Sequence, residues 1–176
     1  MCLASKEFDI GPLSTVAGII AEYAINAMID AGAKYAIIDN GGDIAVYTNK
    51  VVNIGVYTGQ NKHRIAYQIK PSKEILGICT SSGKIGHSFN FGNADAVTIF
   101  SKNIALADAA ATAVANLVNS EEDIEDSLRI LNKVKGIIGA IIFIDGKVGF
   151  WGKIPRLVAA DVPIKKITQG ELRLAN

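Results

Sequence analysis

The sequence predicts an α+β fold, a mostly antiparallel sheet packed with helices, and three observations carry that expectation. Helix-like stretches sit at residues 12–31, 104–118 and from 120 onward, with runs of strand length grouped between and after them. They do not alternate one for one, as a parallel βαβ sheet requires. The strand-length runs are separated by Gly, Asn, Asp and Pro, which punctuate hairpins. The stretch 137–151 reads as two strands around Asp145-Gly146, a strong short hairpin signal.

The first helix is expected from Pro12, whose fixed φ suits a first turn, to Ala31. Val16, Ile20, Ala24 and Met28 recur at helical spacing, and Gly32 supplies a C-terminal cap. Gly18 inside this helix marks close packing against another backbone. Tyr35 to Asp39, the Asn40-Gly41-Gly42-Asp43 break and Ile44 to Val46 read as strand, turn, strand. Val51 to Tyr57, His63 to Ile69 and Ile75 to Thr80 follow as strands in a meander of hairpins. Ser81 to Gly92 is a loop, and Asp95 to Phe100 is a further strand.

Ile104 to Val118 is rich in Ala and Leu, free of Gly and Pro, and apolar nearly all round, so it belongs in a core. Its polar side chains, Asp108, Thr112 and Asn116, stack along one face. A surface helix follows Ser120, which with Asp123 forms a capping signal; its acids precede its bases, as a helix dipole favours. Lys165 to Asn176 shows no strong pattern. With no repeat, linker or low-complexity segment, residues 1–176 are expected to form one domain.

Hydrophobic residues make up 49% of the chain and mean hydropathy is +0.28, which suggests a large core or a buried subunit interface and hence a homo-oligomer. The net charge of +1 argues against nucleic-acid binding driven by overall charge. Cys2 and Cys79 are too few for a disulfide framework and lack metal-ligand spacing, so Cys79 is expected as a small core residue in a reducing compartment. No uncharged apolar run of about 18 residues indicates a membrane span. No hydrophobic leader precedes Cys2, so a lipoprotein is not expected and a cytoplasmic location is.

Three clusters could carry chemistry. Asn40-Gly41-Gly42-Asp43 lets a ligand approach the backbone closely, or is simply a turn built from turn formers. The Ser81 to Gly92 loop can offer N–H groups to phosphate, although no Gly-Lys-Ser/Thr opens a helix as a phosphate loop requires. Its His87 is a candidate general acid or base, or an ordinary loop histidine; His63, between Lys62 and Arg64, reads as a solvated surface residue. Asp108 and Thr112, one helical turn apart, can hold a hard cation such as Mg²⁺. Asp108 can equally be a helix N-cap, with Ser101 and Asn103 competing for that position.

Asp9-Ile10-Gly11 before a helix, Asn40-Gly41-Gly42-Asp43-Ile44, Thr80-Ser81-Ser82-Gly83 and Ala107-Asp108-Ala109-Ala110-Ala111-Thr112-Ala113 occur in that order. Together they resemble the ApbE superfamily, which includes the FAD:protein FMN transferases. Gly86-His87-Ser88 and Ala94-Asp95-Ala96-Val97 bring the resemblance closest to an uncharacterised ApbE-like branch. The resemblance implies Mg²⁺ held by Asp108 and Thr112 across the pyrophosphate of FAD. It implies that Asn40, Gly41, Gly42, Asp43, Ser81, Ser82 and Gly83 lie against the flavin nucleotide, with His87 and Asp108 in catalytic positions. The reaction it implies moves FMN onto a Thr of an acceptor protein and releases AMP.

The chain departs from the transferase pattern at three places. Ser14-Thr15-Val16-Ala17 stands where the transferases carry Lys-Gly, and Phe89-Asn90-Phe91-Gly92 replaces Ile-Asp-Pro-x-Thr-Gly. Asn90 cannot act as a base as Asp could. The family pattern starts almost at Met1, so shelter for a flavin is expected to be lacking from a short chain or to come from another subunit. The expected function is an Mg²⁺-dependent, flavin-handling transferase. The alternatives are a non-catalytic module for FAD or another phosphate-bearing ligand, and a structural subunit with a relic site.

Overall fold

A computed structural model describes residues 1–58, 65–84 and 90–160. The helices are α1 (Cys2–Lys6), α2 (Val16–Asp30, entered through a 3-10 turn at Pro12–Thr15), α3 (Ile104–Leu117) and α4 (Ile124–Arg129). The strands are β1 (Ala36–Asn40), β2 (Asp43–Thr48), β3 (Val52–Val56), β4 (Ile65–Ile69), β5 (Ser72–Ser81), β6 (Ala96–Ser101), β7 (Ile137–Ile144), β8 (Lys147–Gly152) and β9 (Arg156–Ala159). The fold is α+β, and every strand pair among the described residues is antiparallel.

The strands do not form one continuous meander. Six make a sheet in the order β1-β2-β5-β6-β7-β8, and β3, β4 and β9 make a second sheet. The reason lies in the side chains. β6 is buried along its whole length, and so is most of β7, so the large sheet needs cover on both faces. Ala45, Cys79, Val97, Ile99, Ala140 and Ile142 point one way, onto Ala21 and Ile25 of α2 and Ala107, Ala110, Ala111 and Val114 of α3. The alternate residues Val46, Ile78, Phe100, Ile141 and Phe143 point the other way, onto Val56, Tyr67 and Ile69 of the small sheet. Tyr67 meets Phe100 edge to face at 5.0 Å between ring centres.

Most of α3 is buried, and its alanines let it lie close on β5 and β6. α2 ends as its sequence indicates. Gly32 takes a φ of +94°, and the N–H groups of Gly32 and Ala33 bond back to the carbonyls of Ile29 and Met28 at 2.8 and 2.9 Å. Gly41 (φ +69°) and Gly42 (φ +104°) close the β1–β2 hairpin with two positive φ angles in succession, the turn that matches strand twist. Asp145-Gly146 turns β7 into β8 in the same way, and Ser120 and Asp123 form the expected capping box with Asp in place of Glu. α1 and β9 are elements the sequence did not announce.

Candidate functional site

The β1–β2 turn, the start of α2 and the first half of α3 meet on the helix side of the large sheet. The Asn40 amide donates to the Ala17 carbonyl at 3.1 Å. The Gly18 N–H, in the first turn of α2, donates to Asp108 Oδ2 at 2.8 Å. A Cβ at position 18 would lie 2.7 Å from Asp108 Cβ, so only glycine permits this approach. The Thr80 N–H donates to the Gly42 carbonyl at 3.1 Å, which places the end of β5 beside the hairpin turn. Asp43 sits opposite Cys79, and Ser81 lies two residues further along, so all three face the helices.

Asp108 is not the N-cap of its own helix. α3 begins at Ile104, and Asn103 caps it by accepting the Leu106 N–H at 2.8 Å. Glu22 of α2 accepts the Ile104 and Ala105 N–H groups at 2.8 and 3.2 Å. The two antiparallel helices therefore exchange carboxylates: Glu22 serves the start of α3, and Asp108 serves the start of α2. Each satisfies backbone donors that a helix leaves free in its first turn. Glu22 was legible in principle, as the one charge between Pro12 and Ile29 in an otherwise neutral helix.

The electrostatics are unbalanced. Burial, then the charge of Asp108, pushes the Asp43 carboxyl up to about 8, with Asp39 adding and the Cys79 thiol opposing. Burial raises Asp108 to about 6 against the stabilising Gly18 N–H. Burial raises the Cys79 thiol too, followed by the charges of Asp43 and Asp108. Among the described residues, neither carboxylate has a Lys, Arg or His in an ion pair with it.

The Ser81 loop is tied down locally. Asn90 accepts from Ser81 Oγ at 3.2 Å and donates to the Ser82 carbonyl at 2.8 Å. The Gly83 N–H bonds to the Ala94 carbonyl at 3.0 Å, and a Cβ on Gly83 would run into the Gly92 carbonyl. Lys84 bridges Asp95 (2.9 Å) and Asp145 (2.7 Å), and Asp95 also accepts the Asp145 N–H at 2.7 Å. Sequence reading did not find this link, which joins positions far apart in the chain. Asn116, half-buried near the end of α3, accepts the Phe91 N–H at 2.9 Å. Thr112 is half-buried, and its hydroxyl has no hydrogen bond among the described residues. His87 and His63 lie outside the described residues.

The structure thus holds Asp108 on Gly18 and Asn40 on Ala17 at the start of α2, with Gly42 and Asp43 beside the end of β5 and Ser81 to Gly83 continuing from Cys79. The hard oxygens available, a carboxylate of Asp108 anchored through one oxygen and the Thr112 hydroxyl, are the donor types a magnesium ion takes. Among the described residues no group of three or more His, Cys, Asp and Glu side chains is placed to hold a metal ion. Such an ion would draw the rest of its shell from water, carbonyls or phosphate.

A family model described as AbpE bacteria matches residues 1–148. The UPF0280 protein of Methanosarcina acetivorans is 44% identical over 171 residues, covering 96% of this chain and 68% of that protein. The UPF0280 protein of Methanocaldococcus jannaschii is 44% identical over 179 residues, covering 98% and 71%. The crystal structure of the apo form of Pseudomonas stutzeri flavinyl transferase ApbE is similar with a TM-score of 0.53 at 15% identity, over 78% of this chain and 47% of that one. That identity makes the likeness one of fold, and less than half of the transferase is spanned. By the family match and these relatives, the chain belongs to the AbpE bacteria family, in the ApbE-like branch that includes the UPF0280 proteins.

Proposed function

We propose that the chain handles a flavin nucleotide with the help of Mg²⁺, in the manner of an FMN transferase. The observation that carries this reading is the meeting of Asp43 and Asp108. Burial raises both carboxyls, the charge of Asp108 raises Asp43 further, and no protein cation among the described residues is paired with either. A bound cation would relieve them. In this reading Asp108 and Thr112 would hold the metal, which would supply positive charge for a pyrophosphate. The Gly18 N–H fixes one oxygen of Asp108 and leaves the other for the metal. Gly41 and Gly42 carry no Cβ to keep a phosphate from the backbone, and Ser81 to Gly83 continue that wall. His87 takes the proton from the acceptor threonine.

A binding module without turnover is the second reading, and Asn90 favours it. Where the transferases have an aspartate, this amide has both ends engaged in holding the serine loop. Titration of FAD into the protein by calorimetry, with Mg²⁺ and with chelator, tests the shared claim. Binding should require the metal and weaken at least about tenfold in Asp108→Ala, a loss of roughly 1.4 kcal/mol. Absence of FAD binding in every condition removes both readings. AMP release in the presence of a threonine-bearing acceptor peptide separates the first from the second.

A further inference from the structure

The outer face of α2 plays no part in this site. Leu13, Val16, Ile20, Tyr23 and Ala27 follow one another at steps of three and four residues, the spacing of a helix-packing seam. Leu13 is 76% exposed, Ile20 53% and Tyr23 72%. From Pro12 to Asp30 the helical run has a mean hydropathy of 1.3, enough by length and composition to cross a membrane, yet only 22% of it is buried. Its one charge before Asp30, Glu22, is turned inward onto the start of α3. Among the described residues, the apolar seam is therefore left to solvent.

We propose that this seam is the two-fold interface of a homodimer, with α2 packed antiparallel against α2 of a second copy. In an isologous interface each residue meets its own surface. A charge near the two-fold axis would meet its like, and this face has none near Ile20. With Ile20 opposite Ile20, Leu13 falls beside Ala27, large against small, and Tyr23 packs beside Val16, so every contact along the seam is apolar. Asp30, at the C-terminal end of one helix, falls beside the opening turn of the other, where the helix dipole is positive. A parallel arrangement places Asp30 against Asp30 instead. A lipid surface is the poorer match, because helices that lie on membranes carry Lys and Arg along the polar edge, and this face carries Asn26 and Asp30. The inner face of the same helix holds Asp108 through Gly18, so the second copy would stand directly behind the candidate site. The inference does not depend on the flavin reading.

Sedimentation of the full chain should give twice its 18.6 kDa mass. Ile20→Glu and Tyr23→Glu should halve the mass with an unchanged far-ultraviolet spectrum, while Val148→Glu, exposed on β8, should leave it doubled. In a Cys2→Ser background, Ile20→Cys should form a disulfide-linked dimer under mild oxidation. Leu13→Cys should not, because its two copies stand about 20 Å apart in this register. A wild type of single mass overturns the proposal, whether free in solution or pelleting with phosphatidylglycerol vesicles. So does a doubled mass that Ile20→Glu leaves unchanged, or equal cross-linking at positions 13 and 20.

Discussion

Two acid pairs, one in the candidate site and one beside its serine loop, are built on opposite principles. Asp95 and Asp145 share Lys84, whose ammonium lies within 2.9 Å of both, and the Asp145 N–H completes the group. Asp43 and Asp108 have no such cation among the described residues, and burial drives both carboxyls upward. The first pair is complete as a staple between the serine loop and the β7–β8 turn. The second carries charge that the described protein does not answer, although Gly18, Asn40 and Glu22 hold its surroundings in place. A fold that gives one acid pair a shared cation and leaves the other with none among the described residues has room for a cation at the second.

The sharpest way to break the second pair is through Gly18. Gly18→Val puts a branched side chain where even a Cβ would lie 2.7 Å from Asp108 Cβ and 3.0 Å from the Ile104 carbonyl. The helices must part or Asp108 must move, at a cost on the order of 3 kcal/mol, the upper range for overpacking. Urea denaturation at neutral pH should show the midpoint falling accordingly. An unchanged midpoint means that the α2–α3 contact is loose and that Asp108 is not held as described.

The next effect separates the pairs by pH. Asp43 and Asp108 titrate at about 8 and about 6 folded, above the unfolded value of 3.8. The folded protein then binds more protons than the unfolded chain across that window, so metal-free stability should fall as pH rises from about 4 to about 8. Asp43→Asn should flatten the profile and, at pH 8 with chelator present, stabilise the protein by at least about 1.4 kcal/mol, the equivalent of one pKa unit. Added Mg²⁺ should raise the melting temperature of wild type at pH 8 more than that of Asp108→Asn. A flat wild-type profile between pH 5 and 8 would end the claim of uncompensated charge.

The staple answers more weakly. Lys84→Met leaves the Asp95 carboxylate, 8% exposed, without its cation. Removing one partner of a fully buried pair costs about 3–5 kcal/mol, but Lys84 is itself 38% exposed and water screens what remains. The expected loss is about 1–2 kcal/mol by chemical denaturation, with no dependence on Mg²⁺. A metal-sensitive loss would show that the two acid pairs are not independent.

What was legible in advance follows from how far each interaction reaches along the chain. α3 was read to within a residue, because composition and end signals are local, and so were the hairpins at Gly41-Gly42 and Asp145-Gly146. The division into two sheets was not, because it depends on which face each strand must bury. At Asp108 a local reading offered its own helix cap or a metal ligand. Its observed partner, the Gly18 N–H, comes from 90 residues earlier in the chain. Only the glycine, out of place in a helix, hinted at that contact. The same limit hid Glu22 as the cap of α3 and Lys84 as the staple, since each becomes meaningful only once distant segments are side by side.

The smallest expected effect comes from a third set of charges, on α4, which serves as the baseline for the other two. Arg129 reaches Glu125 at 2.6 Å and Asp126 at 2.7 Å, spaced as neighbours on a helix surface, with the Arg129 side chain 63% exposed. Water already solvates all three groups, and holding long side chains in one arrangement costs entropy that offsets the attraction. Arg129→Ala should therefore be the least destabilising of these changes, and raised salt should erase the difference. Measured beside Lys84→Met in the same buffer, it shows how much of the staple's contribution comes from burial and how much from the ion pair alone. If Arg129→Ala costs as much as Lys84→Met, burial of Asp95 adds nothing, and the contrast between the acid pairs loses its physical basis.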